Sequence, residues 1–399
     1  MGIWILILKI NILNLNSMTE KLARANLLDK PDGKFVTSEY PVPEPAPGSV
    51  LMKIEMCGIC GTDIHTWHAP AEAVFGLEYP ISLGHEVSGI IEALGEGVTT
   101  DSVGTPVTVG DRIGVIPAIH CGKCYYCRIA KTPEKCIDWK TYGTWPKADQ
   151  PPHFTGGYGD YLYIHDPASF FIKSTTTAER TAFLEPMAVV VHSMLHAKIK
   201  LGDTVVIQGS GPIGLLTTAC AKLAGASVVI ASGRSNRARV ELAGEMGADH
   251  VILAADMPDE KKRKDFVFEK SLNNVGADVV INTVGTPEAF EECFNFVRDS
   301  GTIVEVGNFV DSGTFEFNPC KHLCEKGITI IGSFDNEAEH FVRAMPLISD
   351  ERIPLEKLIT HKVPLEEVEP TLAAIEKGEK LDGKEIIKAM MVPDITKRS

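Results

Sequence analysis

Two hydrophobic rhythms divide the chain. In the first half the apolar positions come in short or alternating runs: VLMKIEM at 50–56, VSGIIEAL at 87–94 and DRIGVI at 111–116. Gly, Pro and Asp punctuation such as PEPAPG and GDR separates them, which predicts short strands in a barrel-like, mostly-β unit with function carried on its loops. Near residue 180 the rhythm changes to ERTAFLEPMAVVVHSMLH, with helical spacing and few breakers. Val/Ile runs then alternate with helical segments: TVVIQGSG, a helix at 212–224, SVVIAS, a helix at 236–246, HVI, DVVINTVG, a helix at 287–298, TIVEVG and ITIIGSF. That alternation predicts βαβ units and a doubly wound parallel sheet, so the fold class is α/β with a second, mostly-β unit. Helical stretches around 337–348 and 365–377 follow, and no internal repeat or low-complexity tract is seen.

Composition narrows the class. At 399 residues the chain is too long for one small core, which favours two domains. A hydrophobic content of 44% and a charged content of 23% are those of a soluble globular protein. A net charge of −14 argues against a nucleic-acid partner, which needs a basic face. The N-terminal MGIWILILKINILNLNS lacks a basic n-region and a small-residue cleavage site, and its uncharged run is too short to span a membrane. It reads as an upstream start-site artefact with Met18 as the start; the alternative is an extension that pairs as an extra strand. No membrane partner is expected. Without a signal peptide, ten cysteines point to a reducing cytoplasm, where clustered cysteines bind metal rather than pair.

The most specific local signal is VVIQGSGPIGLLTTACAKLAG, with Gly209, Gly211 and Gly214 in G-x-G-x-x-G spacing between a strand and a long helix. Gly209 permits the tight turn, Gly211 lets backbone approach a pyrophosphate, and Gly214 lets the helix pack close; Pro212 and Ile213 complete the turn. The helix N-terminus then faces the phosphates. A glycine-rich turn without ligand is the weaker reading, because strand and helix are both in place. At the next strand end, where an NAD site carries an acid, the chain has Ser232, Gly233, Arg234 and Ser235, with Arg237 and Arg239 close behind. A missing carboxylate and a present arginine favour NADP(H) over NAD(H); the alternative is a solvated helix start.

Metal-ligand residues are scattered. CGICGTDIH carries Cys57, Cys60, Thr62, Asp63 and His65 on one loop; LGHEVSG carries His85 and Glu86; FLEP carries Glu185. Thiolate, imidazole and carboxylate are the donors of catalytic zinc, which keeps one position open. Singly each is bland, but together, upstream of a dinucleotide turn, they are not. Residues 120–136, HCGKCYYCRIAKTPEKC, bring Cys121, Cys124, Cys127 and Cys136 together. Four thiolates fill all four tetrahedral positions of zinc, so that cluster is a structural site bracing its loop.

In CGICGTDIH, GHEVSGIIEALGEGV, GDRIGV, HCGKCYYC, FLEP, GSGPIG and GTIVEVG the chain resembles the zinc-dependent medium-chain dehydrogenase/reductase superfamily, in its sorbitol and threonine dehydrogenase branch. The likeness runs from about residue 22 to the end. It implies a GroES-like, mostly-β catalytic domain over 18–187 and 337–399, a Rossmann dinucleotide-binding domain over 188–336, and residues 1–17 as an extension outside both. It implies that Cys60, His85 and Glu185 hold the catalytic zinc, that Glu86 is a neighbouring acid able to approach it, and that Asp63 orients His85. Thr62 and His65 match a proton relay, Val284 and Val306 match cofactor contacts, and Cys57 has no metal role. The family spaces its last two loop cysteines closer, which makes Cys136 the least regular ligand. The implied activity is hydride transfer between a secondary alcohol or polyol (or its carbonyl) and NAD(P), by a homodimer or homotetramer in which ITIIGSF pairs between subunits.

Three competing classes are weaker. A metal-free quinone or enone reductase of this fold does not need Cys60, His85 and Glu185. A zinc-ribbon module lacks a basic face, since Lys123, Arg128, Lys131 and Lys135 form only a thin cover. A silent nucleotide-binding protein does not need the relay. Three features stay outside the resemblance. The aromatic insert at 137–157, with Trp139, Tyr142, Trp145, His153 and Phe154, could wall the substrate cleft, cover a dimer surface or pack on the zinc loop. Trp67 is a pocket candidate with a core tryptophan as its equal alternative. Cys320, His322 and Cys324 have ligand types but no fourth partner, so a structural role is expected.

Overall fold

The computed structural model describes residues 21–68, 77–144 and 147–393. The N-terminal segment 1–17 and Trp145 lie outside them. Strands β1 (Leu22–Leu28) and β2 (Phe35–Pro41) form an antiparallel hairpin. β3 (Val50–Gly58), β4 (Glu86–Leu94) and β5 (Arg112–Val115) are the alternating runs read in the sequence. The short β6 (Ala118–Ile119) and β7 (Lys140–Thr141) pair across the cysteine loop, and β8 (Tyr161–Ile164) and β9 (Phe171–Lys173) return to β3 and β5.

The helical half follows. The Leu184–Ala197 helix leads into β10 (Thr204–Gln208), the Pro212–Leu223 helix, β11 (Val228–Gly233), the Arg237–Glu245 helix and β12 (His250–Leu253). The Glu260–Lys270 helix, β13 (Ala277–Asn282), the Pro287–Phe296 helix, β14 (Val297–Glu305) and β15 (Thr329–Gly332) complete it. Beyond it lie the Ala338–Ile348 helix, β16 (Ile359–Val363), the Val368–Lys377 helix and β17 (Lys388–Met391).

Two large sheets result. One runs β16-β17-β3-β4-β5-β9 with β8 beside β3, antiparallel except for β16 with β17. The other is parallel, in the order β12-β11-β10-β13-β14-β15. Every residue of β10 is buried, as expected of a central parallel strand covered by helices on both faces. The strand order reverses at β10, which has β11 on one side and β13 on the other. Doubly wound sheets open a ligand crevice at that point, outside the carboxyl ends of the strands.

The Glu260–Lys270 helix was not read from the sequence. Its run EKKRKD is polar and gives no apolar period, and Asp259 caps it through the Lys261 and Lys262 N–H groups. β17 belongs to the mostly-β sheet although it lies after the parallel one, so the chain returns at its end to complete the first unit. No helix among the described residues is long and apolar enough to cross a membrane.

Candidate metal centre and dinucleotide turn

Antiparallel pairing of Gly58 with Glu86 brings the end of β3 to the start of β4, so Cys60 and His85 emerge side by side. The expected loop after Cys60 is a helix, Gly61–His68. Its start is fixed by Asp63, whose Oδ2 accepts from the Cys60 N–H at 3.0 Å, the reach-back half of a capping box. Asp63 also accepts from the Gly84 N–H at 3.3 Å and from the Tyr158 hydroxyl at 2.7 Å, and its Oδ1 lies 3.4 Å from His85 Nδ1. Burial disfavours its charge, but these partners, His85 first, hold the carboxyl below the usual range. Burial likewise opposes a charged His85, and Asp63 together with the Cys60 thiol holds that ring well above its ordinary value. One ring nitrogen is thereby committed to Asp63, and the other is left for a metal, the arrangement found behind zinc-bound imidazoles.

The ligand atoms of Cys60, His85 and Glu86 lie within 4.8 Å of one another. Glu185, expected from the resemblance as the third ligand, is outside that group. Its Oε1 accepts from Asn336 Nδ2 at 2.9 Å, while burial, with the Glu86 and Asp335 carboxylates, pushes its carboxyl up to about 7 against the opposing pull of His85. Asn336 thus holds Glu185 on the helix beside the cluster. Glu86 is the carboxylate grouped with the ligand atoms of Cys60 and His85, and it carries a partner the sequence does not reveal. Lys388 on β17 donates to Glu86 Oε1 at 2.6 Å and to the Ile59 carbonyl at 3.0 Å. Glu86 Oε2 lies 2.5 Å from the same Lys388 Nζ, so the lysine holds both carboxylate oxygens. A thiol, an imidazole and a carboxylate with ligand atoms this close together are donors that fit zinc. The only sequence signal for Lys388 was a lone lysine within the apolar run IIKAMMV.

Thr62 Oγ1 lies 3.6 Å from Cys60 Sγ. His65 is exposed on the same helix, edge-on to Phe309 with 5.3 Å between ring centroids, and burial and His68 lower its pKa while Glu376 opposes this. Trp67 is partly buried against the core of the mostly-β unit. Its Nε1 donates to the Gly33 carbonyl at 2.8 Å and its ring packs edge-on against Phe35, which ties the helix to the β1–β2 hairpin. Cys57 is fully buried.

The second cluster groups Cys121, Cys124, Cys127 and Cys136 within 4.8 Å, with all four thiols free. Sulfur separations of 3.5 Å (Cys124–Cys127) and 4.0 Å (Cys124–Cys136) bracket the ~3.8 Å edge of a tetrahedron with zinc–sulfur bonds of about 2.3 Å. The Cys127 and Ile137 N–H groups aim at Cys124 and bring its thiol down to about 6, whereas burial pushes Cys127 up to about 12. Backbone donors on sulfur are what a zinc–thiolate site provides.

Part of the insert after Cys136 packs into the core. Tyr142 and Phe154 are buried, His153 stacks on Tyr40 at 4.1 Å, and a Cβ at Gly143 would meet the Gly84 carbonyl at 2.9 Å, directly behind His85. Trp139 is partly buried against the neighbouring core. Cys320 and Cys324 are exposed, and the His322 ring lies against Phe294 and Phe317.

The glycine turn has the geometry its spacing predicts. Gly209 has φ +115°, a value that favours glycine, and a Cβ at Gly214 would sit 2.1 Å from the Gly209 carbonyl. Nothing lies within 4 Å of a Cβ at Gly211, and no side chain caps the helix that starts at Pro212 with Ile213 behind it. An uncapped helix start facing open space fits a pyrophosphate. Ser232 is buried and its carbonyl receives the Gly209 N–H at 2.9 Å; a Cβ at Gly233 would meet Ser210 Oγ at 2.4 Å. The three arginines separate. Arg237 pairs with Asp256 at 2.8 Å, Arg239 donates to the Ile386 carbonyl and burial lowers its pKa, and Arg234 is exposed with no ion-pair partner among the described residues. Val284 and Val306 are half-buried at the carboxyl ends of β13 and β14.

The chain matches two family models, an alcohol dehydrogenase GroES-like domain over residues 46–176 and a zinc-binding dehydrogenase over 212–350. It is 30% identical over 363 residues to a sorbitol dehydrogenase of Halalkalibacterium halodurans, covering 90% of this chain and 96% of that enzyme. The chain is a zinc-dependent medium-chain dehydrogenase. An alcohol dehydrogenase of Thermotoga maritima superposes on this dehydrogenase with a TM-score of 0.86 and 28% identity, over 94% of this chain and all of that one. A zinc-binding dehydrogenase of Sinorhizobium meliloti bound to NADP superposes with a TM-score of 0.80 and 29% identity, over 94% and 100%. The antiparallel sheet is accordingly the GroES-like unit and the parallel sheet the Rossmann unit. The dehydrogenase is an oxidoreductase of CH–OH donors that uses zinc and a nicotinamide cofactor on small alcohol or carbonyl substrates.

Proposed function

We propose that this dehydrogenase oxidises a secondary alcohol of a polyol, and reduces the matching ketone, with NADP(H) favoured over NAD(H). The grouping of Cys60, His85 and Glu86, with Glu185 behind them, carries the reading. A polyol is favoured because the sorbitol dehydrogenase of H. halodurans matches along nearly its whole length. NADP is favoured by the unpaired Arg234 where an NAD site would carry an acid.

Cys60 and His85 with a Glu86 or Glu185 carboxylate would hold zinc, which would supply Lewis-acid polarisation of an alcohol oxygen, and the crevice would hold the nicotinamide cofactor that supplies hydride-transfer chemistry. Asp63 keeps the His85 ring in one tautomer. Thr62 Oγ1, beside the Cys60 sulfur, takes the hydroxyl proton, and the exposed His65 passes it to solvent. The uncapped Pro212–Leu223 helix and the Gly209–Gly214 turn hold the pyrophosphate, with Val284 and Val306 beside the ring. The four loop cysteines hold a second, structural zinc.

The two sheets support a division into residues 18–187 with 337–399, and 188–336. Among the described residues β15 is an edge strand, which suits pairing in a homodimer or homotetramer, and the free thiols suit a cytoplasmic location. The test is a panel of polyols, secondary alcohols and amino alcohols followed by reduced-cofactor absorbance with NADP and with NAD. Polyol-dependent reduction of NADP that disappears in a folded Cys60→Ser variant is expected; full activity in that variant overturns the reading.

A further inference from the structure

Asn282 and Glu305 stand opposite each other in register at the carboxyl ends of β13 and β14, next to the crevice where the strand order reverses. Asn282 is fully buried and Glu305 half-buried. Asn282 Nδ2 donates to Glu305 Oε2 at 2.8 Å and to the Val284 carbonyl at 3.0 Å. Its Oδ1 accepts from the Val284 N–H at 3.2 Å, and its main-chain carbonyl accepts from Val306 at 2.9 Å and Gly307 at 3.1 Å. Glu305 Oε1 accepts from the Asn308 N–H at 2.8 Å and from its side-chain amide at 3.1 Å. Both loops that leave the sheet at the crevice are therefore tied to one asparagine, and that asparagine is tied to one carboxylate.

The packing leaves these loops little freedom. A Cβ at Gly307 would sit 2.3 Å from the Val284 carbonyl, and one at Gly209 would sit 2.8 Å from Val284 Cγ2. Val284 is wedged between the glycine turn and the β14 loop, so a shift of either loop moves it. A strand end that served only the sheet needs no such pair, because the main-chain ladder already aligns the two strands. Burying a carboxylate costs free energy unless it is fully hydrogen-bonded, and here its bonds go to the loops.

We infer that the Asn282–Glu305 pair is a clasp that positions Val284 and Val306 against the nicotinamide end of the dinucleotide, making Glu305 a positioning residue for the cofactor. The inference rests on the dehydrogenase reading of the crevice. It separates the two ends of the cofactor: the glycine turn and Arg234 serve the phosphates and the adenosine ribose, whereas the clasp serves only the nicotinamide end.

The test measures dissociation constants of metal-loaded protein by tryptophan fluorescence. The probes are NADPH, NADH and their shortened analogues ADP-ribose and 2′-phospho-ADP-ribose, which lack the nicotinamide. Glu305→Ala and Glu305→Gln are each expected to weaken NADPH and NADH roughly tenfold, the loss of one to two buried hydrogen bonds. Binding of the shortened analogues and the zinc content should stay at wild-type values. The exchanged pair Asn282→Asp with Glu305→Gln restores a donor facing an acceptor and should recover part of the loss. Equal weakening of dinucleotides and shortened analogues, or no weakening in either single variant, overturns the clasp alone. Wild-type protein that binds neither dinucleotide overturns the reading of the crevice and the clasp with it. If Glu305→Ala fails to fold, the Gln variant and the exchanged pair decide.

Discussion

Lys388 and Glu86 form an ion pair at 2.6 Å in which neither residue reaches solvent, with exposures of 3% and 1%. Burial opposes the lysine charge, yet Glu86 and the Cys60 thiol keep its pKa above the ordinary value. Removing one partner of such a pair strands the other charge. Lys388→Met should therefore cost about 3–5 kcal/mol of stability. The double variant Lys388→Met with Glu86→Gln should recover much of it, because no charge is then left alone. Urea unfolding of the three proteins checks this; a single variant as stable as wild type contradicts it.

That pair marks the limit of what the chain discloses before folding. The glycine turn, the four loop cysteines and the β3–β4 and β10–β15 strands were legible because each is a local pattern with a local cause. Cys60 and His85 were legible as types, and their proximity follows from a β3–β4 register that sequence does not display. Lys388 lies 302 positions from Glu86, and nothing in IIKAMMV says which face the lysine takes. Tyr158 lies 95 positions from the Asp63 it serves. The helix at 61–68 was hidden by its glycine and short length, and Trp67 was ambiguous because its role depends on the hairpin it meets. The relation of Glu86 and Glu185 to Cys60 is a matter of a few ångströms, below the resolution of spacing.

Asp63 joins the Cys60 N–H, the Gly84 N–H, the Tyr158 hydroxyl and His85. Asp63→Asn keeps the shape but loses the negative charge that fixes the His85 ring. Such outer partners of a metal-bound imidazole are worth roughly 10–100-fold in metal affinity. Competition with a chromophoric chelator should show that loss at the site containing Cys60, with the loop cysteines unaffected. Unchanged affinity argues against a metal on His85.

The loop cluster predicts a different pattern. Zinc there closes a loop and leaves no open position, so Cys124→Ser should lower the metal content from about two to about one per chain and lower the melting temperature. Cys60→Ser should also remove about one metal per chain, with a smaller change in melting temperature and complete loss of alcohol oxidation. Metal analysis beside calorimetry separates the two. Loss of both metals from Cys124→Ser would mean that the brace also maintains the reactive centre.

Cofactor choice turns on Arg234, because Arg237 is occupied by Asp256 and Arg239 reaches across to Ile386. Arg234→Asp places a carboxylate where a ribose hydroxyl would bond and a 2′-phosphate would be repelled. The ratio of kcat/KM for NADP to that for NAD should fall by roughly 100-fold, about 2.7 kcal/mol of discrimination. An unchanged ratio removes Arg234 from the account.

The three rings of His192, His196 and His340 pack together behind Glu185, which makes the fold sensitive to acid. His192 and His340 stack at 4.3 Å, and His196 Nε2 lies 3.0 Å from His192 Nε2. Burial, helped by His192, His196 and Arg343 and opposed by Glu339, lowers His340 to about 4; its Nδ1 accepts from the Glu337 N–H. The folded state thus binds fewer protons than the unfolded chain between about pH 6.5 and pH 4, so this contribution is complete above pH 6.5 and is lost as the pH falls toward 4. Allowing for solvent screening at the His196 side, the loss is about 2 kcal/mol. His340→Asn keeps an acceptor for Glu337 without a titrating ring. Urea unfolding at pH 7.5 and pH 5 should show a smaller acid loss in the variant than in wild type. Equal losses in the two proteins would mean that His340 takes up its proton as readily in the folded state as in the unfolded chain.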